Sequence, residues 1–244
     1  MSGERKAPVT RQEGGKIEEA SSRSEIDAFL KQAHTMTPAN TGGARGRLIF
    51  ALDATMSRQP TWDSACQLQA EMFNETAQIG GLDVQLLYFR GFNECRASRW
   101  VSDPKALADL MTRIDCRGGH TQIRRALAHV RNESRKKPVQ ALVYIGDCME
   151  ESIDDLCAVA GEIGMTGTRA FMFHEGRDAI AEKAFREIAR LTNGAYCRFD
   201  TGSAQHLREL LAAVAVYAAG GRAALVDYGR KGGGQARLLL QQMR

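Results

Sequence analysis

The pattern of apolar and polar positions becomes regular at residue 47, where short apolar runs start to alternate with amphipathic stretches. The apolar runs predict strands at 48–53, 82–90, 140–146, 168–174 and 195–199. The amphipathic stretches predict helices at 60–79, 103–114, 122–136, 151–164, 178–192 and 204–219. Alternating strands and helices are typical of a parallel sheet covered by helices on both faces. We therefore expect an α/β domain with a doubly wound, Rossmann-like open sheet.

One strand is expected to run against the others. Residues 93–101 alternate weakly and follow strand 82–90 after only a short Gly91-Phe92 turn. A turn that short joins antiparallel neighbours, because a parallel pair needs a long crossover connection. The prediction is a six-stranded, mainly parallel sheet with 93–101 as an antiparallel edge strand.

Both ends of the chain depart from this pattern. Residues 1–22 hold almost no apolar side chains, which predicts a disordered leader. A capping-box pattern at Ser24–Asp27 predicts a short amphipathic helix, and the glycines and proline of 37–46 indicate a linker. The expected domains are therefore a leader, helix and linker over 1–46 and an α/β domain over 47–220. A basic, flexible C-terminal tail that adds little stability is expected over 221–244.

Composition and charge narrow the class of protein. The content of 43% hydrophobic and 25% charged residues is ordinary for a globular domain. The formal net charge of +4 equals that of the tail, which has one acid, Asp227, and five basic residues: Arg222, Arg230, Lys231, Arg237 and Arg244. The N-terminus lacks an apolar signal-peptide core, and the apolar run at 210–219 is too short to cross a bilayer. We therefore expect a cytoplasmic protein without membrane contact.

The six cysteines do not indicate a zinc site on their spacing alone. They form no CxxC pair and are irregularly spaced: Cys66, Cys95, Cys116, Cys148, Cys157 and Cys197. In a reducing compartment such residues are most often small buried side chains.

Candidate chemistry begins at the end of the first predicted strand. The apolar run 48–52 leads into Asp53, and Thr55 and Ser57 follow at alternate positions. Alternate side chains point the same way in an extended backbone, so one carboxylate and two hydroxyls can converge. Three hard oxygen donors suit Mg²⁺. The plainer alternative is that Asp53 is a turn residue and that a hydroxyl caps the next helix.

Two further segments carry the same oxygen chemistry. Residues 117–123 form a glycine-rich loop that contains Thr121 and opens a helix, and strand 140–146 ends in Gly146-Asp147. Ligands bind in open α/β sheets beyond the carboxyl ends of the strands, where the strand order reverses. If strands 48–53 and 140–146 are neighbours, Asp53 and Asp147 face one crevice.

Taken in order, these motifs resemble the metal-ion-dependent adhesion site of von Willebrand factor type A domains, of the bacterial intracellular type. The resemblance covers residues 47–218 and includes the antiparallel third strand. It implies that Mg²⁺ or Mn²⁺ is bound, directly or through water, by Asp53, Thr55, Ser57, Thr121 and Asp147. Three positions depart from the family pattern: Thr55 replaces the usual serine, Cys148 replaces a frequent glycine, and His120 is an insertion-like residue next to Thr121.

The resemblance implies a binding module rather than an enzyme. Its partner would be a protein that presents a carboxylate to the metal, and an AAA-type ATPase or an assembly system is the partner that intracellular relatives suggest. One alternative is a magnesium-dependent, phosphotransferase-like hydrolase, although Thr55 replaces the second carboxylate of the Asp-x-Asp motif. The other is nucleic-acid binding through the basic helix 122–136 and the tail, although no base-reading motif accompanies them.

Overall fold

The computed structural model describes residues 45–58, 81–199 and 204–243. The strands are β1 (Gly46–Asp53), β2 (Leu82–Arg90), β3 (Glu94–Ala97), β4 (Ala141–Gly146), β5 (Arg169–Glu175) and β6 (Ala195–Phe199). The helices are α1 (Pro104–Met111), α2 (Ile123–Lys136), α3 (Ile153–Met165), α4 (Ala179–Leu191), α5 (Ala204–Arg230) and α6 (Gly234–Gln242). The helices predicted at 60–79 and near residue 26 lie outside the described residues.

The strands form one open sheet in the order β3-β2-β1-β4-β5-β6. All described pairings are parallel except β2 with β3, which is antiparallel and lies at the edge. The fold predicted from the sequence is therefore confirmed. Strand β1 pairs with both β2 and β4, so the chain order reverses on either side of β1. This is the switch point at which open α/β sheets bind ligands.

Strand β1 is buried along its whole length because both of its faces are covered. Leu48, Phe50 and Leu52 belong to one core, which includes residues of α1, α5 and α6. Ile49 and Ala51 belong to the other core, which includes residues of α2, α3 and α4. A continuous apolar run is what a central strand between two helix layers requires.

Helix α5 is longer than the predicted helix 204–219, because it continues to Arg230. Within the described part of the chain, Gln205–Arg230 is the helix whose length and composition would allow it to cross a membrane. However, 56% of its most apolar window is buried inside the domain. Gly221 interrupts the helix with φ 71° and ψ −167°, values that glycine adopts most readily. The packing of this helix on the sheet accounts for its apolar residues.

The C-terminal segment is not the flexible tail expected from the sequence. It continues α5 to residue 230 and then forms α6, which packs back on α5 and the sheet. Leu225, Ala236 and Leu239 are fully buried in the core that contains α1 and α5. The expectation failed because three consecutive glycines at 232–234 suggested disorder, whereas Gly232 and Gly233 lie in the turn between α5 and α6 and Gly234 begins α6.

Candidate metal centre

The crevice lies at the carboxyl ends of β1 and β4. Asp53 is the last residue of β1 and is fully buried, and Asp147 directly follows β4. The two strands are parallel neighbours, and Leu52 is in register with Ile145. Ligand atoms of Asp53, Asp147 and Cys148 all lie within 4.8 Å of one another. The carboxylates of Asp53 and Asp147 therefore lie close together.

The first loop folds tightly around Asp53. Its Oδ1 accepts a hydrogen bond from the Thr55 backbone N–H at 2.8 Å, which turns the chain over the carboxylate. The hydroxyl oxygens of Thr55 and Ser57 then lie 3.1 Å apart. Thr55 is buried and Ser57 is exposed, so the pair runs from the crevice floor to its rim.

The second loop, the glycine-rich segment that contains Thr121, lies across the crevice because backbone hydrogen bonds hold it on two sides. Arg117 N–H donates to Ala54 O at 3.0 Å, and His120 N–H donates to Gly91 O at 3.3 Å. A Cβ at Gly119 would lie 2.1 Å from Gly91 O, so this close approach requires glycine. The loop places buried Thr121 in the same cleft as Thr55 and Ser57, a space of about 260 Å³.

This chain is similar to known proteins in its structure. No protein-family model and no curated protein matches the sequence. The VWA domain of SpRpn10 matches with a TM-score of 0.56 at 12% identity, over 68% of this chain and 95% of that one. The vWF domain of the type V pili tip protein Mfa5 from Porphyromonas gingivalis gives 0.55 at 9% identity, over 72% and 97%. The chain has the fold of a von Willebrand factor type A domain.

A third match comes from the mussel byssus. Proximal thread matrix protein 1, solved with a zinc-occupied MIDAS motif, gives a TM-score of 0.56 at 15% identity. The match covers 79% of this chain and 52% of that protein. At such identities the comparison establishes the type A fold, and the chemistry of the crevice has to be argued from its own residues.

Two glutamates that the sequence did not single out hold the second loop in place. Glu150 Oε2 accepts from Thr121 N–H at 2.9 Å, while Thr121 Oγ1 accepts from Glu150 N–H at 3.1 Å. The Glu151 carboxylate accepts from Ile123 N–H and Arg124 N–H. The first N–H groups of a helix need such acceptors. The two acids shortly after Asp147 could therefore have been recognised as acceptors for the start of α2.

A buried ion pair beneath the crevice was also missed. Arg58 is 1% exposed, and its guanidinium forms a salt bridge with Glu175 at the end of β5. Burial lowers the pKa of Arg58, and the nearby charges of Asp147 and Asp53 oppose that effect. Nothing in the sequence around Arg58 predicts its burial, because its partner lies far along the chain.

His174 supports the backbone at Asp147. It is fully buried, its Nε2 lies 3.2 Å from Asp147 O, and its Nδ1 lies 2.9 Å from the Tyr196 hydroxyl. Burial lowers the pKa of His174, so the neutral ring can donate from Nε2 and accept at Nδ1. These two contacts and its complete burial give His174 a structural, hydrogen-bonding role.

The two carboxylates at the strand ends fit a divalent cation. Asp53 Oδ2 and Asp147 Oδ1 are buried and find no hydrogen-bond partner among the described residues. Within the same part of the chain, three acids (Asp53, Asp147 and Glu175) face the charge of Arg58, which leaves two net negative charges. Burial, and to a lesser extent Asp147, raises the pKa of Asp53 to about 6. A metal ion would remove this electrostatic cost.

Proposed function

We propose that this protein is a metal-dependent interaction module that binds an acidic group of a partner protein. The observation that carries the proposal is the pair of buried carboxylates at neighbouring strand ends. Each has one oxygen without a hydrogen-bond partner in the described part of the chain, and three hydroxyls share the crevice above them. Unpaired buried carboxylate oxygens are costly, and a bound cation offsets that cost.

Five residues would hold the metal. Asp53 and Asp147 supply charge, and the hydroxyls of Thr55, Ser57 and Thr121 supply neutral oxygen donors. An all-oxygen set of this kind suits Mg²⁺ or Mn²⁺, which keep several exchangeable waters. When bound, such a cation offers a position that a carboxylate from outside can occupy.

The crevice is open to solvent on one side, which supports binding of a partner protein there. Ser57, Met56 and Glu150 at its rim are exposed, so the cleft is accessible to a side chain from another protein. We propose a partner protein that inserts an Asp or Glu carboxylate. An AAA-type ATPase or an assembly factor in the cytoplasm is the partner class suggested by the resemblance to intracellular type A domains.

The metal-binding half of the proposal is tested by titration. Isothermal calorimetry with Mg²⁺ and Mn²⁺ should show binding near one ion per chain, and Asp53→Asn should weaken it at least tenfold. Asp109→Asn, which changes an exposed acid on α1, is the matched control. Equal affinity in the wild type and Asp53→Asn would contradict the assignment.

The partner-binding half is tested by affinity capture from a native lysate. Capture is compared with Mg²⁺, with chelator, and with the Asp53→Asn protein in Mg²⁺. We expect one or more proteins to be retained only by the wild type in Mg²⁺, and free acetate or a short acidic peptide to compete with them. Retention that is unaffected by both chelator and Asp53→Asn would place the interaction at another surface.

The two alternative functions lack a supporting observation. Basic side chains of α2 are paired with acids, since Arg131 and Arg135 both contact Glu162 and Lys136 contacts Glu133. A helix face whose basic charge is partly offset by acids is a weaker electrostatic footprint for nucleic acid. Hydrolysis of a generic phosphate ester, measured with and without Mg²⁺, tests the enzymatic alternative directly.

A further inference from the structure

We propose that the Cys148 thiol is an additional ligand of this centre and makes it select Zn²⁺ over Mg²⁺. The inference rests on the proposed metal site and specifies which ion that site prefers. Cys148 stands where the resembling family often has glycine, so the thiol is a feature of this chain.

The geometry places the sulfur with the two carboxylates. Sγ of Cys148 and carboxylate oxygens of Asp53 and Asp147 all lie within 4.8 Å of one another. Ligand atoms bound to one tetrahedral Zn²⁺, at about 2.3 Å for sulfur and about 2.1 Å for oxygen, lie about 3.6 Å apart. Side-chain movements of about 1 Å or less would close this difference, which rotamer adjustment can supply.

The second observation is the state of the carboxylates themselves. Asp53 is fully buried, and its Oδ2 has no hydrogen-bond partner in the ranges that the structure describes. The same holds for the buried Oδ1 of Asp147. Both aspartates belong to the cluster that contains Cys148, so a cation held between their carboxylates would also be near the thiol.

The ligand atoms, two carboxylate oxygens and one sulfur, favour Zn²⁺ over Mg²⁺. Mg²⁺ takes oxygen ligands in an octahedron and gains nothing from sulfur. Zn²⁺ binds carboxylate and thiolate in a tetrahedron, and three protein ligands plus one exchangeable position is the arrangement of its open sites. Asp53, Asp147 and Cys148 provide those three ligands. A coordinating thiol gives up its proton to solvent, so zinc binding would release one proton from Cys148.

The charge of the group is compatible with this ligand set. Two carboxylates and a thiolate carry three negative charges, which Zn²⁺ reduces to one. The Arg58 guanidinium interacts electrostatically with both aspartates and offsets the charge of its salt-bridge partner Glu175. The occupied site then keeps one net negative charge, against two for the metal-free site.

The test compares metals rather than partners, using the full-length protein. Zn²⁺ and Mg²⁺ affinities are measured for the wild type, Cys148→Ser, and the control Cys157→Ser, a partly buried cysteine on α3. Cys148→Ser should weaken Zn²⁺ binding at least tenfold and leave Mg²⁺ affinity within about twofold. Co²⁺ provides a spectroscopic readout, because thiolate-to-cobalt charge transfer should appear in the wild type and in Cys157→Ser but not in Cys148→Ser.

The outcomes separate this inference from the proposed function. If the wild type binds Mg²⁺ and Zn²⁺, and Asp53→Asn abolishes both, the metal site exists whatever Cys148 does. Unchanged Zn²⁺ affinity in Cys148→Ser, or a cobalt spectrum without charge transfer, would then overturn the thiol assignment alone. Absence of binding by either metal in the wild type would overturn both. Circular dichroism of each variant checks that the fold is kept.

Discussion

Replacing Asp53 with asparagine should make the metal-free protein more stable near neutral pH. The substitution keeps the size of the side chain and the Oδ1 acceptor for Thr55 N–H. It removes a charge that is fully buried next to Asp147. The expected gain follows from the electrostatic cost of that charge and not from any new packing.

The size and sign of the effect follow from the pKa of Asp53. Burial raises this pKa from 3.8 to about 6, so the folded protein holds the proton more tightly than the unfolded chain does. Protonation of Asp53 therefore stabilises the folded protein. This contribution to the free energy of unfolding is complete below the unfolded pKa and is lost as the pH rises through the folded pKa. The total is about 3 kcal/mol, of which about 1.4 kcal/mol falls between about pH 5 and about pH 8. Asparagine does not titrate, so its advantage over aspartate grows across this window.

Urea unfolding in the presence of chelator measures the difference. The free energy of unfolding of Asp53→Asn minus that of the wild type should increase by about 1 to 1.5 kcal/mol from about pH 5 to about pH 8. Exposed Asp109→Asn should show no such trend. With metal at about 1,000 times its dissociation constant, the wild type should gain about 4.1 kcal/mol, which exceeds the advantage of the variant, and the order should reverse. A difference independent of pH, or a less stable metal-free variant near pH 8, would refute the reasoning.

Three further substitutions test other parts of the structure. Gly119→Ala should lose metal affinity at least tenfold because a Cβ there would collide with backbone, whereas Gly118→Ala, with open space around it, should bind normally in calorimetry. Leu239→Ala should cost about 2 to 4 kcal/mol in urea unfolding, against less than about 0.5 kcal/mol for the 44% exposed Leu238. Arg58→Met should cost about 3 to 5 kcal/mol because it leaves a buried carboxylate unpaired, and a variant as stable as the wild type would contradict that pairing.

Much of the fold could be predicted because each element of the sheet has a local signal. The apolar run of β1 reflects burial on two faces, and the Gly91-Phe92 turn requires an antiparallel neighbour. The C-terminal helices could not be predicted in the same way. Their apolar positions are few and are split by glycines, and only contact with α5 and the sheet makes Leu225 and Leu239 part of a core.

The same distinction applies to the crevice. The spacing of Asp53, Thr55 and Ser57 is local, so their convergence followed from the direction of alternate side chains. The position of Cys148 next to two carboxylates depends on strand order and on loops that meet across the sheet. The pairing of Arg58 with a strand two positions away in the sheet likewise depends on the finished fold.

The return of the C-terminal helix to the sheet also covers part of an edge strand. Strand β6 lies at one edge of the described sheet, and Gln242 Oε1 accepts from the backbone N–H of Tyr196 there at 2.8 Å. An uncovered edge strand is a template for intermolecular strand pairing. The opposite edge, β3, spans only four residues and carries Glu94 and Arg96, features that discourage such pairing. A protein shortened before α6 should therefore form β-rich aggregates through β6.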